Sequence, residues 1–293
     1  MKFDGHFQTS HSGCGTLILG GDGLAGKALA WAFQSKAIPF YSASKSEANI
    51  VDILSLKKIL ENKKPSSVIN CAAFTHVDEA EVRISETYEV NALGVKHIGM
   101  LAVDYGFWLC HLSTDYVFSG KKKSPYYETD SPDPIGVYGA SKLEGEKYLQ
   151  EICHQACIIR TSWLFGNQGK NFISLLLQLM QTKEVLQVVE DQMGKLTYVF
   201  DLAEAVIALH GRNGIYHFAN NGVVNRYEIA KCLYRLVKAK GIPLLCKEII
   251  PVLSSTFPTK AKRPLYSALA TEKFESETGM IPRRWEEVLK DYV

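Results

Sequence analysis

The chain has 293 residues, 46% of them hydrophobic, which is enough to bury the core of one large α/β domain or of a domain with a smaller lobe. Its formal net charge is only +2, so composition gives no electrostatic footprint for nucleic acid or an anionic membrane, and neither is expected as a partner. No apolar run approaches the roughly 20 residues of a membrane span, and the N-terminus shows no charged-then-apolar signal pattern, so the cytoplasm is the expected compartment.

Residues 1–14, rich in Ser, Gly and His without periodicity, read as a mobile tail. Thr16 to Leu19 is an apolar run fit for a buried parallel strand. It leads straight into glycines at 20, 23 and 26, after which Leu29, Ala30 and Phe33 continue at helical spacing. Strand, glycine turn and helix together predict a dinucleotide site: the glycines allow close backbone approach, and the helix N-terminus around Leu24 offers free N–H groups to a pyrophosphate. A second strand is expected near Ile38 to Tyr41. No acidic residue follows where an NAD-specific protein would present one; Ser44 and Lys45 stand there and suit a 2′-phosphate, so NADPH is expected over NADH. Asp52, before a helical segment from Ser55 to Asn62, is either the start of that helix or a contact to the adenine.

A third strand is read over Ser67 to Ala73, with small Ala72 and Ala73 at its cofactor end and a loop from Phe74 to Asp78 at the carboxyl edge. Glu79 to Tyr105 reads as two helices with Asn91 between apolar stretches, and Phe107 to Leu112 as the next strand. Thr114, just past it, can hydrogen-bond a substrate carbonyl. The residue that would protonate that carbonyl is Tyr138, four residues before Lys142 and hence on the same helix face. A nearby ammonium is expected to favour the phenolate and to lower the phenol from its reference pKa of about 10. Further on, the sequence predicts a strand over Ala156 to Thr161, a helix over Asn171 to Lys183, a strand over Val185 to Val189, a helix over Asp201 to His210 and a strand over Ile215 to Ala219. Asn225 caps a helix through Val237, and helices close the chain after Ser267. The seven cysteines are odd in number and form no C-x-x-C pair, so they read as reduced thiols. Cys153 and Cys157 flank His154 without a second ligand pair, and no metal is expected.

The fold class expected from this order is α/β, a Rossmann-type doubly wound parallel sheet with a smaller C-terminal α/β lobe. The nucleotide domain is placed at residues 15–165 plus about 197–220, and the substrate lobe at about 166–196 plus 221–293.

The run from Tyr127 to Glu146, with Glu128, Asp130, Pro132, Pro134, Tyr138-Gly139, Ser141-Lys142-Leu143 and Gly145-Glu146, closely resembles the dTDP-4-dehydrorhamnose reductase family of extended short-chain dehydrogenase/reductases. Ala72 to Thr75, Val77-Asp78, Asn91-Ala92, Ser113 to Phe118, Arg160 to Trp163, Asn171-Phe172, Asp191-Gln192 with Gly194, and Arg263-Pro264 match in the same order. The resemblance implies NADPH-dependent reduction of the C4 ketone of a dTDP-linked 4-keto-6-deoxy-L-sugar, with dTDP-4-dehydro-L-rhamnose giving dTDP-L-rhamnose. It implies that Tyr138 is the acid, that Lys142 tunes it and holds the nicotinamide ribose, and that Thr114 anchors the carbonyl. Thr75, Val77, Asp78, Tyr116, Trp163 and Asn171 fall on positions of the sugar-nucleotide pocket, with Trp163 suited to stack on thymine or to serve as core. A homodimer is a candidate assembly. The chain departs from the family at Ala28, where some members place a metal-linked Glu, and at Leu196 and Ala270, which leaves open a related keto-sugar. A non-catalytic subunit of the same fold is the reading from another class. A dehydratase is disfavoured, because Tyr116 stands where a second carboxylate would abstract a proton.

Overall fold

The computed structural model describes residues 15–293; the expected tail lies outside them. Strands β1 (Thr16–Leu19), β2 (Phe40–Ala43), β3 (Ser67–Asn70), β4 (Trp108–Thr114) and β5 (Cys157–Thr161) belong to one sheet. After β6 (Leu164–Phe165), β7 (Val185–Val189), β8 (Met193–Gly194) and β9 (Thr197–Tyr198), β10 (Gly214–His217) completes it in the order β10-β5-β4-β3-β1-β2, every pair parallel. The chain enters in the middle and leaves β1 in both directions. The carboxyl ends of β1 and β3 therefore open a crevice where an α/β sheet binds its ligand.

Helices cover both faces. Leu17, Leu19, Val68 and Leu109 pack under α2 (Ile53–Lys63), α5 (Gly94–Tyr105) and α6 (Val137–Ile152); Ile18, Ile69, Cys110 and Ile159 pack under α1 (Leu24–Ser35) and α8 (Val199–Ala208). Strands whose residues are buried on both faces read as continuous apolar runs, which is why their sequences show no alternation. A separate apolar cluster joins α7 (Phe172–Thr182), α9 (Arg226–Ala239) and α11 (Trp285–Tyr292) to β7 and its parallel partner β12 (Glu248–Val252). Short α10 (Glu272–Thr278) instead sends Phe274 into the core beside the large sheet.

Several boundaries differ from the sequence reading. β2 begins at Phe40, because Pro39 has no N–H to give to a ladder; its carbonyl serves Thr16 instead. β3 stops at Asn70, and 71–76 is loop. The stretch read as two helices is α3 (Val77–Ala80), α4 (Ile84–Tyr88), a π-helical turn over Glu89–Leu93, and α5. β4 runs on to Thr114, since Ser113 and Thr114 pair with Arg160 and Thr161. β12 went unread: Pro251 sits inside it, and proline in a run argues against a strand.

One buried ion pair ties α6 to the sheet. The Glu146 carboxylate accepts from Arg160 Nη2 at 2.7 Å and Nε at 3.1 Å, and from the Ser113 hydroxyl, while the guanidinium lies 5.1 Å from the Phe118 ring centroid. Both partners are essentially inaccessible. Removing one member of such a pair strands a buried charge. Glu146→Ala is expected to lower the unfolding free energy by ~3–5 kcal/mol, read by urea denaturation at pH 7. A loss below ~1 kcal/mol, no more than an exposed ion pair supplies, would show that α6 is held by other contacts.

Candidate active site

A cleft of about 680 Å³ opens at the carboxyl edge of the sheet, within the range of small-molecule sites. Its floor is the glycine turn. Gly20 adopts φ +76, in the left-handed region, and a Cβ there would meet the Ala72 backbone. Gly23 then caps α1 without any side chain turned onto the free N–H groups, and Leu24 follows into the cleft. An uncapped helix start with no acidic residue in its first turn is a fit for a pyrophosphate. Gly26 lies below the cleft; a side chain there would collide with Gly20 and Gly21, so its role is to let α1 approach β1. Lys45, Ala72 and Ala73 line the same cleft.

Two expected cofactor contacts are placed elsewhere. The Ser44 hydroxyl is held by the Glu47 carboxylate at 2.7 Å and does not line the cleft. Asp52 is the cap of α2, accepting from Leu54 N at 2.9 Å and Ser55 N at 3.3 Å, and the cleft wall beside it is Asn49 and Ile50. Of the two roles open for Asp52, the structure shows the start of the helix.

At the other end, Thr114 ends β4 and Tyr138 opens α6. The helix and the turn after β4 approach this closely because residue 139 is glycine, where a Cβ would overlap the Tyr116 carbonyl. The Tyr138 phenol faces Thr114, and the Tyr116 ring stands edge-on to Tyr138 at 5.5 Å. The phenol differs from expectation. Burial raises its pKa well above the ordinary value, Thr114 opposes this, and Asp115 and Tyr116 add to it. Lys142 takes no part: its Nζ is 2.7 Å from the Leu112 carbonyl and 3.1 Å from His111 Nε2, and burial lowers its pKa to about 8. Tyr138 therefore stays protonated across the physiological range.

Asn91 has its place here. From the π-helical turn its Oδ1 accepts from Phe74 N at 2.8 Å, and its Nδ2 donates to the Phe74 carbonyl at 3.1 Å and to the Ser141 hydroxyl at 3.0 Å. It fixes the loop after β3 to the helix that carries Tyr138. Thr75 and Val77 of that loop line the cleft. Asp78 does not: it pairs with Arg263 at 2.6 Å and accepts from Ala261 N, anchoring the segment whose Arg263 reaches Tyr116.

Tyr116, Trp163 and Asn171 line the far wall, with Leu196 beside them. Asn171 spends its amide on capping α7, accepting from Ile173 N and Ser174 N and donating to the Gly166 carbonyl. Trp163 takes φ 45, and its indole packs against Gly194. The residue that sequence reasoning missed is Arg226. Its guanidinium lies 4.5 Å from the Trp163 ring centroid and 4.7 Å from that of Phe172, and Nε donates to Gln192 Oε1 at 3.0 Å. It forms no ion pair among the described residues, and burial lowers its pKa. No motif marks it in sequence; it reads there as the first residue of a capped helix.

The RmlD substrate binding domain family matches residues 15–293. The chain belongs to this family. It is 37% identical over 278 residues to the spore coat polysaccharide biosynthesis protein SpsK of Bacillus subtilis (strain 168), covering 94% of this chain and 96% of that one. It is 35% identical to a dTDP-4-dehydrorhamnose reductase of Aggregatibacter actinomycetemcomitans, with 94% and 97% covered. A crystal structure of dTDP-4-dehydrorhamnose reductase from Bacillus anthracis in complex with NADP superposes with TM-score 0.89 at 32% identity, again covering 94% and 97%. Across the family's span, no helix among the described residues is long and apolar enough to cross a membrane.

Asp115 also lines the cleft. Its Oδ1 accepts from Thr114 at 3.1 Å, and its Oδ2 is buried without a hydrogen-bond partner among the described residues. Burial raises its pKa from 3.8 to about 6, opposed by Ser267 and Thr114. A carboxyl that holds its proton more tightly folded than unfolded favours folding at low pH, and this contribution is lost as pH rises from about 4 to about 6. Asp115→Asn is therefore expected to gain stability over the native protein across that window, reaching roughly 2–3 kcal/mol at pH 7. Paired denaturation curves at pH 4 and 7 check this; an advantage that does not grow with pH would contradict it.

Proposed function

We propose that the protein reduces the C4 ketone of a dTDP-linked 4-keto-6-deoxy-L-sugar with NADPH, dTDP-4-dehydro-L-rhamnose giving dTDP-L-rhamnose, in the cytoplasm. The observation that carries this reading is that Thr114 and Tyr138 line one cleft with the uncapped start of α1. The names of the family's relatives and the NADP bound to the Bacillus anthracis structure support it.

Gly20, Gly23 and Leu24 hold the pyrophosphate, Lys45 the 2′-phosphate, and Ala72 and Ala73 leave room for the ring system. When bound, NADPH supplies the hydride that adds to the C4 carbon. Thr114 turns its hydroxyl hydrogen from Asp115 to the ketone oxygen. Tyr138 gives that oxygen its proton as the C=O π pair becomes an O–H bond, and the phenolate recovers a proton from solvent. A phenol kept protonated by burial is in the form this step requires. Tyr116 and Trp163 flank the sugar nucleotide, and Arg226, a charge without an ion-pair partner, meets its diphosphate. Residues 15–165 with about 197–220 form the nucleotide unit in this reading, and about 166–196 with 221–293 the substrate lobe. Exposed Leu93, Met100 and Val103 on and beside α5 support a homodimer. Leu196 lines the cleft where the family motif has proline, which favours a related keto-sugar as the second reading.

The test is loss of NADPH absorbance with dTDP-4-keto-L-rhamnose. Tyr138→Phe is expected to lower kcat by a factor on the order of 10²–10⁴; turnover within a few-fold of the native rate would remove Tyr138 as the acid. Arg226→Met is expected to raise KM for the sugar nucleotide about tenfold or more, with kcat little changed. An unchanged KM would take the diphosphate away from Arg226.

A further inference from the structure

Behind the cleft, His111 sits fully buried on β4 between two groups that both carry hydrogens. Asn70, at the end of β3, accepts from Ala72 N through Oδ1 at 3.0 Å, which fixes the orientation of its amide. The atom 3.0 Å from His111 Nδ1 is therefore Asn70 Nδ2, a donor only. His111 Nδ1 must accept. Burial holds His111 neutral, and a neutral imidazole that accepts at Nδ1 carries its hydrogen on Nε2.

That N–H points at Lys142 Nζ, 3.1 Å away. An ammonium has three hydrogens and no lone pair, so it cannot accept the Nε2 hydrogen; a neutral amine can. The Leu112 carbonyl, 2.7 Å from Nζ, accepts from either form. The geometry points to His111, held by Asn70 in its Nε2–H tautomer, as a docking partner for the neutral amine of Lys142, which leaves His111 for the cleft when it takes a proton. His111 and Asn70 are thus positioning residues, and they act through Lys142.

The surroundings agree. The charged and titratable groups facing Lys142 are Glu146 and Tyr138, one turn to either side on α6, Cys71 beyond β3, and His111. The Glu146 carboxylate is occupied by Arg160 and Ser113, and burial pushes the Cys71 thiol up to about 12, leaving it uncharged. Lys142 forms no ion pair among the described residues. Desolvation then favours the neutral amine, with Glu146 opposing. The docked form is the one that prevails above about pH 8 and gives way to the ammonium below it. That the freed ammonium serves the cofactor rests on the reductase reading; the docking itself does not.

The full chain without cofactor or substrate provides the test. Long-range proton–nitrogen NMR of ¹⁵N-histidine-labelled protein at pH 9, with His111 assigned among the eight histidines by a His111→Gln variant, reads the tautomer directly. Nε2–H with a bare Nδ1 is expected; Nδ1–H overturns the inference. Asn70→Asp keeps an acceptor for Ala72 N but turns a second acceptor onto Nδ1, which reverses the tautomer and leaves Nε2 free to accept from the ammonium. Its Lys142 midpoint, followed by ¹³Cε NMR, is expected to move up by about one pH unit or more, with His111 reading as Nδ1–H. An unchanged tautomer and midpoint in Asn70→Asp overturn the inference as well. No turnover is measured, so failure of the reductase reading and failure of this one are separate results.

Discussion

The buried pair of Glu146 and Arg160 is the constraint on which the site depends. Tyr138, Lys142 and Glu146 recur every four residues on α6, so fixing the azimuth of Glu146 fixes the other two. The carboxylate meets a strand residue on each of β5 and β4, and the guanidinium is covered by Phe118. Burying two charges costs several kcal/mol per ion, and apolar residues of the same volume often match or exceed the net stability. What an apolar contact would not supply is a single rotational setting. A bidentate pair has one geometry, and at this site that geometry aims a phenol at Thr114.

The cleft disfavours charge on the side of Tyr138 and Lys142. Desolvation moves Tyr138 and Lys142 toward their neutral forms and pulls Asp115 upward in the same sense. Arg226 remains charged on the far wall, stacked between Trp163 and Phe172 and hydrogen-bonded to an amide. An anionic ligand entering the cleft is drawn toward that guanidinium before any specific contact forms.

Much of this was legible in the sequence, where local chemistry dictates conformation. The apolar run of β1 followed by Gly20, Gly23 and Gly26 could form little else, and Asn171 and Asn225 announce their helices by capping. Fourteen of the residues singled out beforehand do line one cleft. The failures share a physical form. Ser44, Asp52 and Asp78 have the right chemistry for a ligand, but each meets a protein partner first. Arg226 and His111 carry no local signal at all, because their meaning lies in what is absent around the one and in which hydrogens face the other. Sequence lists donors and acceptors; it does not list which of them are already taken.

The π-helical turn at Glu89–Leu93 shows another way in which order along the chain hides order in space. It places one extra residue within a helical stack, and each α-helical residue advances the face by about 100°. The apolar stripe of α5 is thereby out of phase with that of α4, and a reader who follows one continuous period across both loses the second half. The wider turn absorbs that residue, so the apolar stripes on both sides of it still reach the core. Removing a residue at the start of α5 instead, where no wider turn absorbs the change, would turn every later side chain by about 100°, swinging Ile98 and Leu101 out of the core and offering the sheet whatever had faced water. Along that helix the length of the chain is itself a torsional setting, and a change of one residue is a rotation.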